Sequence, residues 1–245
     1  MADIKSWMIE NCLKLNEDKT EVVILGTPQH RRTLNISSIN ICGNDINIAG
    51  AAKNIGMILD SSLKLEDQVN KTCRACYYHL KNIWRIRKSL TVETTKSLVH
   101  AMVISRLDFM NSLYCGINQS EIAKLQKVQN AAARLVLRAP KRAHTTDLLY
   151  TLHWLPVRKR IQYKLLTTTY RCIKGTAPDY LGELLKPYVN ERPGLRSEEN
   201  ILLAMPRNRQ STFGLRAFQV LAPRLWNNLP MLIRNEKTLT LFKKT

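Results

Sequence analysis

Between Leu59 and Lys64 the apolar residues of this chain pass from mostly strand-like to helical spacing, and that change divides the fold into a small part built largely of strands and a mostly helical body. A helix is predicted over 3–14, where Ile4, Trp7, Met8 and Cys12 share one face. Apolar runs and period-two alternation then predict strands at 21–25, 38–42, 45–48 and 55–59, with Gly43-Asn44 as a two-residue hairpin signal. From Lys64 the spacing is helical. Helices are expected at 64–88 and at 92–104, the second with Thr91 as N-cap and Glu93 in its first turn. Residues 105–115 should continue helically to Gly116. Asn118 with Glu121 suggests a start that lasts to Pro140, Thr146 caps a short helix to Leu152, and Pro156 opens one that reaches Gly175. The stretch from Asn190 to Asn200, rich in charge, Pro and Gly, reads as a linker, followed by a short strand at 201–205 and a helix at 214–226. The expected class is α+β, a small antiparallel β part followed by a mostly α-helical body.

Charge narrows the partners. Thirty-eight Lys+Arg against nineteen Asp+Glu leave a net +19 on 245 residues. Such a charge repels itself in the compact state and is best understood if a polyanion neutralises it, nucleic acid first and an anionic membrane surface second. No apolar run approaches the roughly 20 residues of a membrane span, and the opening residues resemble no secretory signal. The six cysteines are scattered and mostly at apolar positions, as in reduced proteins of the cytoplasm or nucleus.

The basic residues are not spread at random. On the 64–88 helix, Val69, Cys73, Cys76, Leu80 and Ile83 form the apolar side, and Lys71, Arg74, Lys81, Arg85 and Lys88 fall in one stripe opposite with Tyr78 among them. On the next long helix Ile122, Leu125, Ala132 and Leu135 suggest the buried side, while Lys124, Lys127, Arg134 and Arg138 align elsewhere. Arg160, Lys164, Arg171 and Lys174 align on the helix after Pro156. A solvated face normally interleaves Glu with Lys for i,i+4 support, and these stripes hold no acid. They point to a phosphate-tracking surface that positions a backbone without reading bases, with Tyr78 as a ring for stacking.

Other chemistry finds less support. Two-metal nucleotidyl transfer needs converging carboxylates, and the eight aspartates include no adjacent pair. Cys73, Cys76 and His79 invite a zinc reading, but they lie inside a predicted helix with both thiols on its apolar face, and no second pair follows. His153 beside Trp154 has no nucleophile placed with it by any motif and reads as a packing residue.

The chain resembles the reverse transcriptases of LINE-type (non-LTR) retrotransposons, the jockey-like group in particular. The resemblance begins with Trp7-Met8 and with Leu13 to Glu21, which runs into Val22-Val23-Ile24-Leu25. It continues through Ile55-Gly56 with Leu59-Asp60-x-Ser62-Leu63, and through Ser105 to Phe109 with Asn111 to Gly116. Gln126-x-x-Gln129-Asn130 to Val136, then Leu152-His153-Trp154-Leu155-Pro156-Val157-x-x-Arg160, follow in family order. Arg216-Ala217-Phe218 with Ala222-Pro223-x-Leu225-Trp226-Asn227 closes the series. The resemblance implies a distal palm over 1–60, a helical thumb and C-terminal domain over 61–186, a linker over 187–200 and a C-terminal segment over 201–245. It also implies that the catalytic aspartates and the endonuclease domain belong upstream of this sequence, so that no polymerase activity is expected of this chain alone. Lys19 matches the lysine this class carries near the leaving pyrophosphate, vestigial here. No cofactor is expected in the chain, whereas the parent enzyme would use Mg²⁺. The implied partner is RNA or an RNA/DNA template–primer, bound without sequence preference, with no membrane and no small-molecule substrate. The competing reading is a host-adopted nucleic-acid- or protein-binding module without enzymatic activity.

Overall fold

The computed structural model describes residues 2–14, 16, 19–34, 36–41, 43–188, 201–207 and 214–244. The chain divides into two compact units, Met1–Lys71 and Thr72–Thr245. Two small antiparallel sheets and a mostly helical remainder give it α+β character. Cys42, Asp18 and most of the expected linker lie outside the described residues.

The first unit holds α1 (Ala2–Glu10), α2 (Pro28–Leu34) and two hairpins, β1 (Ser38–Ile41) with β2 (Asn44–Asn47) and β3 (Ala51–Asn54) with β4 (Met57–Asp60). The first hairpin turns one residue earlier than the alternation predicts, because Ile41 pairs with Asn44. The expected strand at 21–25 is a single bridge, Val22 to Ile48, since the run finds one ladder neighbour only at that point. The expected strand at 55–59 also shifts. Ile55 and Gly56 are the two turn residues of the second hairpin, at φ 46° and 87°, which is the positive-φ pair a primed turn requires. Helix α2 was not anticipated from the sequence. Thr27 caps it by accepting from the His30 N–H, and Pro28 occupies its first position.

A carboxylate organises the exit from β4. Asp60 accepts from the N–H groups of Ser62, Lys64 and Leu65 and from the Ser62 hydroxyl. Partial burial pushes its carboxyl up, but the hydrogen bonds outweigh that and hold it below the usual aspartate value. The bonds also hold Leu63 and Leu65 at φ 48° and 60°, a region costly for residues with a Cβ.

Helix α3 (Glu66–Ile86) buries Val69, Cys76, Leu80 and Ile83 and leaves Cys73 half-buried. In the second unit α4 (Val92–Val99) starts as predicted, with the Thr91 hydroxyl accepting from the Thr94 N–H. A wide turn at His100–Ile104 leads into α5 (Ser105–Asp108). The helical run expected to reach Gly116 breaks here, because Phe109 turns extended and Met110 enters the left-handed region at φ 48°. Helix α6 (Gln119–Leu137) buries Ile122, Leu125, Ala132 and Val136, with Leu135 only half-buried. Asn118 makes no side-chain cap, and Glu121 pairs with Lys124 instead. Next come α7 (Thr145–Thr151), with His144 rather than Thr146 at its N-cap, and α8 (Val157–Ile173), with Pro156 as N-cap. Helices α9 (Asp179–Gly182), α10 (Phe218–Asn227), α11 (Met231–Arg234) and α12 (Leu239–Lys244) complete the unit.

Around α8 and α10 a core forms from Tyr170, Leu185, Leu203, Ala222, Trp226 and Phe242. The expected strand at 201–205 is a single bridge of Leu203 to Pro187, because Asn227 takes both polar groups of Leu203 with its amide. Segments distant in sequence are wired together in the same way. Gln126 accepts from the Val157 N–H at 2.9 Å, and Gln129 donates to the Leu155 carbonyl at 2.8 Å. Arg160 forks onto Asp108, and Gly116, at φ 78°, lies against the Arg216 side chain.

Candidate nucleic-acid interface

On an α-helix each residue advances about 100°, which places three bands around α3. Its core side is Cys76, Leu80 and Ile83. About 70–80° further round come Tyr77 and Trp84, and roughly another 60–80° on, the basic row. Tyr77, Tyr78 and Trp84 are 47%, 64% and 69% exposed. Lys71, Arg74, Lys81, Arg85 and Lys88 are all exposed, and none makes a side-chain hydrogen bond or ion pair among the described residues. Arg74, Lys81, Arg85 and Lys88 belong to the second unit and Lys71 to the first.

Helix α6 runs beside α3 in the same direction. Cys73 feels the charges of Lys124 and Glu121 at one end, and the Arg87 guanidinium donates to the Leu135 and Val136 carbonyls at the other, at 2.9 and 2.7 Å. Between the helices lies a groove of about 780 Å³. Tyr77 and Trp84 line it from α3 and Arg87 from just past its end, Lys127 and Arg134 from α6, and Arg138 and Lys141 from the chain beyond. Among the described residues no carboxylate lines it.

The predicted site residues separate into those that face solvent uncommitted and those that hold the fold. Lys127 is exposed at the groove. Arg134 also lines it, half-buried, with one weak bond to the Ala143 carbonyl at 3.4 Å. Arg138 is a correction. It stands at the end of α6 in the left-handed region and donates to the Arg87 carbonyl at 3.1 Å, so its guanidinium is a helix cap before it is anything else. Lys124 pairs with buried Glu121, an acid the stripe pattern left out because it lies one turn back on a neighbouring face. Arg160 is likewise spoken for, its fork closed on Asp108. Lys164, Arg171 and Lys174 are exposed, with Lys174 over the Tyr170 ring at 5.7 Å. Arg160, Lys164, Arg171 and Lys174 do not line the groove. Lys19 is exposed in a turn, its N–H donating to Asn16.

Of the two α3 thiols Cys76 is buried and Cys73 half-buried. The Cys76 thiol is pushed up to about 12 by burial first, then by Cys73, with its sulfur 3.8 Å from the Val103 carbonyl. His153 is no packing residue. It is exposed in the left-handed region at φ 55°, where it turns the chain after α7. His100, also exposed, accepts at Nε2 from the Trp154 indole N–H at 3.1 Å with the rings edge to face.

Tyr77, Trp84, Arg87 and Lys141 escaped the sequence reading. The two aromatics border the apolar side of α3. Their signal was the seven-residue interval, which repeats the interval between Lys127 and Arg134 on α6. No protein family, curated protein or solved structure matches this chain.

Proposed function

We propose that this chain is the C-terminal part of a LINE-type reverse transcriptase and that it holds RNA or an RNA/DNA template–primer by its backbone, without doing the polymerase chemistry itself. The acid-free row on α3, exposed and uncommitted among the described residues, carries the reading. A row of cations on a helix neutralises successive phosphates and has no means of telling bases apart. Asp60 and Asp108 are both engaged in the fold, Asp60 at the β4 exit and Asp108 on Arg160.

Fluorescence anisotropy against salt tests this. With roughly five phosphates engaged, the log–log slope on duplex should lie near −4 to −5, and affinity should fall on the order of 10²–10³-fold between about 50 and 200 mM salt. Changing Lys71, Arg74, Lys81, Arg85 and Lys88 to Gln keeps good helix formers. Binding should weaken evenly across sequences, and the slope should flatten. A control changes Arg32, Lys186, Arg207, Arg224 and Lys237, exposed cations on other elements. Equal losses in the two variants would mean that the charge acts only as a diffuse field, and the proposal would fail.

A further inference from the structure

We infer that the groove between α3 and α6 is a single-strand site, in which bases stack on Tyr77 and Trp84 while Lys127 and Arg134 hold the phosphates. The inference deepens the backbone-binding reading and rests on it. Large aromatic rings left in water on a helix that already has a full apolar side serve no packing purpose on that helix. Neither Tyr77 nor Trp84 has a ring partner or side-chain hydrogen bond among the described residues. They sit two turns apart, about 10.5 Å along the axis, close to three rises of a strand at 3.4 Å.

The facing helix repeats that step. Contacts at both ends of the pair place residues of α6 opposite those of α3 that come about 50 earlier in the chain. Lys127 therefore stands across from Tyr77 and Arg134 across from Trp84. The result is a row of π faces along one wall and a row of cations along the other at the same interval, with exposed Lys141 at one end. A strand laid lengthwise meets base platforms on one side and phosphate partners on the other. A duplex keeps its bases stacked inside and offers no free faces to the rings. Negative charge suits the groove, whose charged lining among the described residues is Arg87, Lys127, Arg134, Arg138 and Lys141.

Three probes separate the terms: a single strand of about 12 nucleotides, the same strand with abasic sugars, and a duplex. The full chain carrying Y77A and W84A should lose affinity for the normal single strand by roughly tenfold for each ring removed. Its affinity for the abasic strand and the duplex should stay within about twofold, and its salt slope should not change, because no cation is lost. Y77F with W84F should keep most of the single-strand affinity, since the π faces remain, and circular dichroism should report an unchanged helix content in both variants. The single-strand site is overturned if removing the rings leaves single-strand binding intact, or weakens all three probes alike. In either case the backbone reading still stands if the five α3 glutamines flatten the slope. It is equally overturned if an acidic peptide binds with the same dependence on the rings, which would make the groove a protein site.

Discussion

Arg87 and Arg138 cap each other's helices. Buried Arg87, just past the end of α3, donates to the Leu135 and Val136 carbonyls at the end of α6, and Arg138, the residue that ends α6, donates back to the Arg87 carbonyl. Both helix ends carry unsatisfied carbonyls and the negative pole of the dipole, so a cation suits each without any carboxylate. Burial, and then the neighbouring Arg138, pull the Arg87 guanidinium below its usual value.

Replacing Arg87 with Met should therefore leave the carbonyls of Leu90, Leu135 and Val136 without this donor. A loss on the order of 3 kcal/mol in urea unfolding is expected. Arg87→Lys should recover little of it, because a single ammonium cannot reproduce the fork.

Gly116→Ala should destabilise the second unit by about 1–3 kcal/mol. Its backbone is at φ 78°, and an added Cβ would meet the Arg216 Cγ at 2.7 Å. Gly175→Ala is the comparison, since that glycine shares the positive φ, at 64°, and a Cβ there meets nothing within 4 Å. Equal costs at the two sites would show that the contact with Arg216 is without consequence.

Acid should weaken the His100–Trp154 contact. The bond needs an unprotonated Nε2, and burial, then Arg160 and Lys96, hold the imidazole below 6.5 against the opposing pull of Asp108. Between that lowered value and 6.5 the unfolded chain binds the proton more readily, so stability rises with pH across the window. Its contribution is complete above 6.5 and is lost as pH falls through the folded value. Unfolding midpoints should drop over that range, and His100→Gln should remove this part of the slope.

Asp60→Ala should loosen the β4 exit and release Leu63 and Leu65 from their left-handed backbone. The folded carboxyl is held below 3.8, so its contribution is present above that value and fades as pH falls through the lower one. A cost of about 2–4 kcal/mol is expected at neutral pH. Hydrogen exchange should report faster opening at the N–H groups of Lys64 and Leu65.

Arg160→Gln separates the two kinds of cation. With its guanidinium closed on Asp108, the substitution should lower stability and leave the salt slope of binding unchanged. A flattened slope with unchanged stability would return Arg160 to the binding surface.

Periodicity determined the long helices and most of their inner faces, although not α2 or the break after Asp108. Val69, Cys76, Leu80 and Ile83 were legible because burying a face is a local consequence of spacing at 100° per residue. Thr91 was legible as a cap because capping acts within one turn. The short strands were harder. A strand exists only through its neighbour, so the run after Glu21 remained a single bridge and Ile55-Gly56 became a turn. The basic stripes were visible as charge patterns, but which cations stay available depends on carbonyls and carboxylates remote in sequence. Asp108 lies 52 residues before Arg160, and Arg87 lies 51 before Arg138. Only packing brings such partners together, and the same packing sets Tyr77 and Trp84 across from Lys127 and Arg134 to make a groove that neither helix has alone.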